Sequence, residues 1–148
     1  MSHPIKVLLV EDNPADVELT LEALGSGKLR VDLDVVTDGA AALDYLNRTG
    51  SYRGQAAPNM IILDLNVPRV SGRDVLAFVK SNEHLKRVPI VILTSSAAET
   101  DVAQSYDLGA NCYVTKPLDF GAFQNIVTSL ETFWFTVVCL PTVDKDAS

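Results

Sequence analysis

The chain is short of basic residues, of paired cysteines and of long apolar runs, and each shortage removes a class of function. Twelve Lys and Arg stand against 19 Asp and Glu in 148 residues, a formal charge of −7. So acidic a chain repels phosphate backbones and no Lys/Arg stripe offsets it, so direct DNA binding is not expected. Its two cysteines, Cys112 and Cys139, have apolar neighbours and form no CxxC pair or Cys–His metal spacing. They read as small buried thiols in a reducing cytoplasm, which excludes a disulfide framework and a zinc site. His3 and His84 are isolated and read as solvated. The longest apolar run, 133–140, is interrupted by Thr136 and falls far short of the about 20 residues that span a bilayer. Residues 1–4 show no signal-peptide architecture. The expectation is a cytoplasmic protein with no membrane contact.

What is present is apolar sequence in short blocks. With 47% hydrophobic residues, the chain can build one substantial core. The expected organisation is a single domain over 1–140, followed by a polar, disordered tail over 141–148. Continuous Val- and Ile-rich runs at 5–10, 33–36, 60–63, 90–93 and 112–114 suit strands buried on both faces.

Helical periodicity fills the intervals. Asn13 can cap a first helix, with Pro14 at its first position and Asp16 favouring its positive end. Val17, Leu21 and Leu24 would face inward, and Gly25 or Gly27 would stop it. Further helices are predicted over 40–46, over 72–81 with Val75, Leu76 and Val79 inward, and over 99–108. The last starts near Phe120, capped by Asp119, with apolar residues at 123, 127, 130, 134 and 137. Strands alternating with helices imply an α/β three-layer sandwich, flavodoxin-like, with parallel strand order 2-1-3-4-5. Residues 47–59 read as a long surface loop.

Such sheets place their sites beyond the carboxyl ends of the strands. There the chain puts Glu11 and Asp12 after strand one, Asp64 after strand three, Thr94 after strand four and Lys116 after strand five. Three close carboxylates repel one another unless a cation joins them, and a hard divalent ion such as Mg²⁺ or Mn²⁺ accepts these oxygen ligands. Asp64 is then a credible nucleophile for an aspartyl-phosphate. Lys116 can neutralise phosphoryl oxygen, Thr94 can donate to another, and Asn66 can present its backbone carbonyl to the metal. Ser95 and Ser96 follow Thr94 without a Ser-His-Asp pattern, so Ser95 reads as leaving space for phosphoryl access and Ser96 as an influence on hydrolysis.

The segments VLLVEDNPAD, MIILDLNVPRVSG, VPIVILTSS and CYVTKP resemble the response-regulator receiver domain over about residues 5–135. The intervals of 30 residues from Asp64 to Thr94 and 22 from Thr94 to Lys116 are similar too. The resemblance implies Mg²⁺ binding by Asp12, Asp64 and the Asn66 carbonyl, with Glu11 acting mainly through water. It implies a cis peptide between Lys116 and Pro117. It also implies a switch in which Thr94 moves towards the phosphoryl group and Tyr113 turns inward. The 47–59 loop, SYDLGANCYVTKP and FWFTVVCLP resemble stand-alone regulators paired with cyanobacterial and bacterial phytochromes. A sensor histidine kinase, in that subgroup a phytochrome, is the implied partner.

Three functions compete on this fold. A constitutive binding module has no need of the full acidic, hydroxyl and lysine set. An aspartate-nucleophile phosphatase usually carries a second acid two residues on, where this chain has Asn66. A flavodoxin-like carrier would need a phosphate cradle where Glu11–Asp12–Asn13–Pro14 would repel it. A phosphoacceptor signalling protein, not an enzyme acting on other molecules, is the expectation. No output domain of its own is expected, so output would pass through a partner or a self-association surface. Phe133, Trp134, Phe135, Val137, Val138 and Leu140 cover most of a helix circumference, so a homodimer through this helix is expected.

Overall fold

Strands built on continuous apolar runs need cover on both faces, and the observed sheet provides it. The computed structural model describes residues 5–25, 31–95, 98–117 and 119–132. Strands β1 (Ile5–Val10), β2 (Val31–Val36), β3 (Met60–Leu63), β4 (Ile90–Thr94) and β5 (Cys112–Thr115) form one sheet in the order β2-β1-β3-β4-β5. All four pairings are parallel. The helices are α1 (Pro14–Gly25), α2 (Gly39–Asn47), α3 (Gly72–Ser81), α4 (Glu99–Asp107) and α5 (Phe120–Thr132). The flavodoxin-like expectation is the fold observed.

Side chains alternate across a strand, so neighbouring residues enter opposite layers. Leu8, Val10, Ile61, Leu63, Ile90 and Ile92 pack with Tyr45 and Leu46 of α2 and with Val75, Leu76 and Val79 of α3. Their neighbours Val7, Leu9, Met60, Ile62, Val91 and Leu93 pack with Leu19, Ala23 and Leu24 of α1 and with Phe123 of α5. Burying such side chains contributes about 1.5–3 kcal/mol each relative to exposure, which makes this double layer the main support of the sheet.

The helix starts follow their caps. Asn13 Oδ1 accepts from the N–H of Ala15 at 2.9 Å, and Ser71 Oγ accepts from that of Asp74 at 3.2 Å. Asp119 Oδ2 accepts from the N–H of Ala122 at 3.2 Å. Boundaries shift by one or two residues: β2 starts at Val31, and β4 and β5 continue into Thr94 and Thr115.

The inward face of α1 differs from expectation. Leu21 is 39% exposed, while Leu19, Thr20, Ala23 and Leu24 are buried. Thr20 can occupy an interior position because its hydroxyl donates to the Asp16 carbonyl at 2.8 Å. The 47–59 loop is not structureless either. It holds a 3₁₀ turn at Gly50–Tyr52, and Gln55 Nε2 donates to Asp34 Oδ2 at 3.1 Å. The Tyr45 hydroxyl donates to the same oxygen at 2.5 Å, and the rings of Tyr45 and Tyr52 lie 5.2 Å apart. Gly27, the 133–140 segment expected to support a dimer, and the 141–148 tail lie outside the described residues. Among the described residues, no helix is long and apolar enough to cross a membrane.

Candidate functional site

The site residues sit where the backbone ladder has just ended, which fixes their main chain. Asp64 N–H donates to the Val10 carbonyl at 3.0 Å, and Glu11 N–H donates to the Val36 carbonyl at 3.0 Å. Lys116 N–H donates to the Thr94 carbonyl at 2.7 Å. Parallel pairing of β1, β3, β4 and β5 therefore delivers their carboxyl ends to one cleft of about 400 Å³. Glu11, Asp12, Asp64, Asn66, Ser95 and Lys116 all line it.

At its centre is the Lys116 ammonium. It donates to Glu11 Oε2, to Asp16 Oδ2 at 2.8 Å and to Asp64 Oδ2 at 2.8 Å. The other Asp64 oxygen, Oδ1, accepts from Thr94 Oγ1 at 2.7 Å and from the Asn66 N–H at 3.0 Å. Asn66 Nδ2 donates to Thr94 Oγ1 at 3.4 Å. Thr94 is fully buried, and the Lys116, Glu11 and Asp64 side chains are nearly so.

Burial and charge pull these groups in opposite directions. Burial pushes the Glu11 carboxyl up to about 7, against the hydrogen bonds from Lys116 and the Asn13 N–H. Burial alone would also raise Asp64; the Asn66 N–H, Lys116 and Thr94 outweigh it and hold Asp64 below its ordinary value. Burial would lower Lys116, but its bonds to Asp16, Asp64 and Glu11 raise it, so the ammonium is secure. Asp64 is thus an ionised carboxylate, the form a nucleophile requires.

Carboxylate oxygens of Glu11, Asp12 and Asp64 lie within 4.8 Å of one another, with Asp12 exposed. Hard oxygen donors open to water fit a divalent cation. One ammonium cannot neutralise the whole carboxylate group, which gives a cation an electrostatic reason to join it.

One expectation needs correction and one residue was missed. No peptide bond among the described residues is cis, so the implied cis Lys116–Pro117 bond is absent. Trans is the ordinary preference even before proline, by about 0.5–1 kcal/mol, and the lysine stem is long enough to reach the carboxylates without the cis bond. Tyr113 lies half-buried on β5 outside the cleft lining, its N–H donating to the Tyr106 hydroxyl at 3.1 Å. Asp16, read from the sequence as favourable helix-start charge, is a direct partner of Lys116. No local signal marked it, because its partner lies 100 residues away and helix-start charge already accounts for it. Ser96 lies outside the described residues.

Residues 7–128 match the response regulator receiver domain. The chain belongs to that family. This receiver is 45% identical over 141 residues to response regulator Rcp1 of Synechocystis sp., a match covering 95% of this chain and 96% of the relative. It resembles the crystal structure of the phosphorylated cyanobacterial phytochrome response regulator RcpA with TM-score 0.92 and 42% identity, over 95% of this chain and all of that one. Against the Mn²⁺-bound form of Rcp1 the TM-score is 0.92 at 43% identity, over 94% of this chain and 100% of that chain. The receiver is therefore a response regulator related to phytochrome response regulators, and its acidic cluster fits divalent-metal binding.

A pH dependence follows from Glu11. Its folded value of about 7 lies above the ordinary 4.5, so the folded state holds the extra proton between them. That contribution to stability is complete below the lower value and lost as pH rises through the upper one. In chelator, the urea midpoint is expected to fall between about pH 5 and pH 8. Divalent cation should restore it at the alkaline end and hardly at the acid end, where protons compete for the ligands. A midpoint rising with pH across that window in chelator would contradict the assignment.

Proposed function

We propose that the receiver takes a phosphoryl group onto Asp64 from a phosphohistidine of a sensor kinase and signals through the resulting change of shape. The observation that carries this reading is the Asp64 carboxylate, ionised and held by Lys116 on one oxygen and by Thr94 on the other. An Asp64 oxygen attacks phosphorus, the P–N bond to the donor imidazole breaks, and the imidazole nitrogen keeps the electron pair. Lys116 and Thr94 then turn their donors from the free carboxylate to phosphoryl oxygens. Asp12, Asp64 and the Asn66 main-chain carbonyl would hold Mg²⁺, with Glu11 acting through water. A cation held there would supply positive charge against the phosphoryl oxygens. On this reading the chain catalyses only its own phosphorylation and dephosphorylation.

The phytochrome relatives support a phytochrome as the kinase. Tyr113 fits the switch role because its main chain ties β5 to α4 through Tyr106, so movement of one is felt by the other. A second copy meeting the apolar 133–140 sequence would give the phosphorylated form a surface to act through.

The test is intact mass after treatment with acetyl phosphate and Mg²⁺, for wild type and Asp64→Asn. A gain of about 80 Da in wild type only, abolished by chelator, is the expected result. No gain with acetyl phosphate or with an autophosphorylated phytochrome kinase would end the reading.

A further inference from the structure

A lysine ammonium has three N–H donors and no acceptor. Here three carboxylates match them: Glu11 and, at 2.8 Å each, Asp16 and Asp64. A phosphoryl group on Asp64 needs at least one of those donors. The three partners are not equivalent. Glu11 and Asp64 belong to the group whose oxygens can share a cation, so a cation offsets their charge and weakens their hold on lysine. Asp16 is outside that group, and its carboxylate keeps its full charge against the ammonium.

The helix holds Asp16 in place. Its N–H donates to Asn13 Oδ1 at 3.3 Å, and its carbonyl accepts from Thr20 Oγ1 at 2.8 Å. The side chain therefore reaches Lys116 from a main chain tied at both ends, across 100 residues of sequence.

We infer that Asp16 is a positioning residue that divides the Lys116 charge between α1 and the phosphoryl group, and so limits how strongly the phosphorylated state is held. The inference rests on the acceptor role of Asp64. Part of the ammonium's attraction is spent on the Asp16 carboxylate of the helix, and that carboxylate stands one ammonium away from the incoming dianion. Removing that charge while keeping the shape should speed phosphoryl transfer to Asp64 and slow its separate hydrolytic loss to water.

Asp16→Asn does this, and Asp16→Glu keeps the charge as a control. Each is compared with wild type by intact mass, first during phosphorylation by acetyl phosphate with Mg²⁺, then during decay after donor removal. Asp16→Asn is expected to gain phosphoryl at least about threefold faster and to lose it more slowly by a similar factor, with Asp16→Glu close to wild type. Mg²⁺ affinity, titrated by calorimetry without phosphodonor, should stay within about threefold, because Asp16 is not among the sharing carboxylates. Equal or slower phosphorylation of Asp16→Asn would overturn the inference. So would a tenfold loss of Mg²⁺ affinity, which would assign Asp16 to the cation. A wild type that takes no phosphoryl group under these conditions removes the acceptor role itself, a failure seen before any variant is compared.

Discussion

Lys116→Met is expected to lower the stability of the metal-free protein by about 3–5 kcal/mol, a fall in Tm on the order of 10 °C. Methionine nearly fills the space of the lysine stem, so the loss reports charge and hydrogen bonding more than packing. The ammonium serves Glu11, Asp16 and Asp64 together, and the Glu11 and Asp64 side chains are only 3% and 7% exposed. Without it, two carboxylates stay buried beside each other with no cation. Glu11, already pushed up to about 7, would take a proton more readily, so the deficit should shrink as pH falls towards 5. Urea denaturation in chelator at both ends of that range checks the prediction, and Lys116→Met with Glu11→Gln should recover part of the loss. A deficit below about 1 kcal/mol at neutral pH would show that cleft water solvates the carboxylates unaided.

Gly72→Ala should cost at least about 2 kcal/mol and slow phosphorylation on the order of tenfold or more. Gly72 opens α3, where alanine would gain up to about 1 kcal/mol of helix propensity. Geometry overrides that gain. A Cβ there would stand 2.4 Å from the Asp64 carbonyl oxygen and 2.6 Å from Leu65 Cα, both main-chain atoms at the end of β3. The Gly72 N–H also donates to the Leu65 carbonyl at 3.0 Å, so the two segments cannot simply part. Either α3 moves or the Asp64 main chain does, and the 2.7 and 2.8 Å bonds to Thr94 and Lys116 move with it. Urea midpoints and acetyl phosphate kinetics measure both effects. Gly121→Ala is the control, since its nearest contact would be an ordinary 3.7 Å. A Gly72→Ala protein as stable as wild type would refute the close-approach argument.

The sheet was legible because each strand carries a run of apolar residues, interrupted only by Lys6 in β1 and by Asp32 and Asp34 in β2. The cleft followed from the parallel topology, which sends residues 11, 64, 94 and 116 to one end. Legibility ended where side chains meet across distance. Leu21 carries the right spacing for the interior, yet Thr20 is buried in its stead because a hydroxyl can satisfy itself on its own helix. Asp16 has a sufficient local explanation as helix-start charge, and no local pattern shows that it also meets Lys116. Gln55 looks like loop composition until Asp34 and Tyr45 are seen to receive it.

β5 is an outer strand of the sheet, and an outer strand presents N–H groups with no neighbour to accept them. The Tyr106 hydroxyl takes the one on Tyr113 while Tyr106 itself stays 49% exposed. A side chain from α4 thus plugs a position where a strand of another molecule could add. Protection against aggregation on this side of the sheet is therefore lent by a helix, and it lasts only while α4 keeps its place.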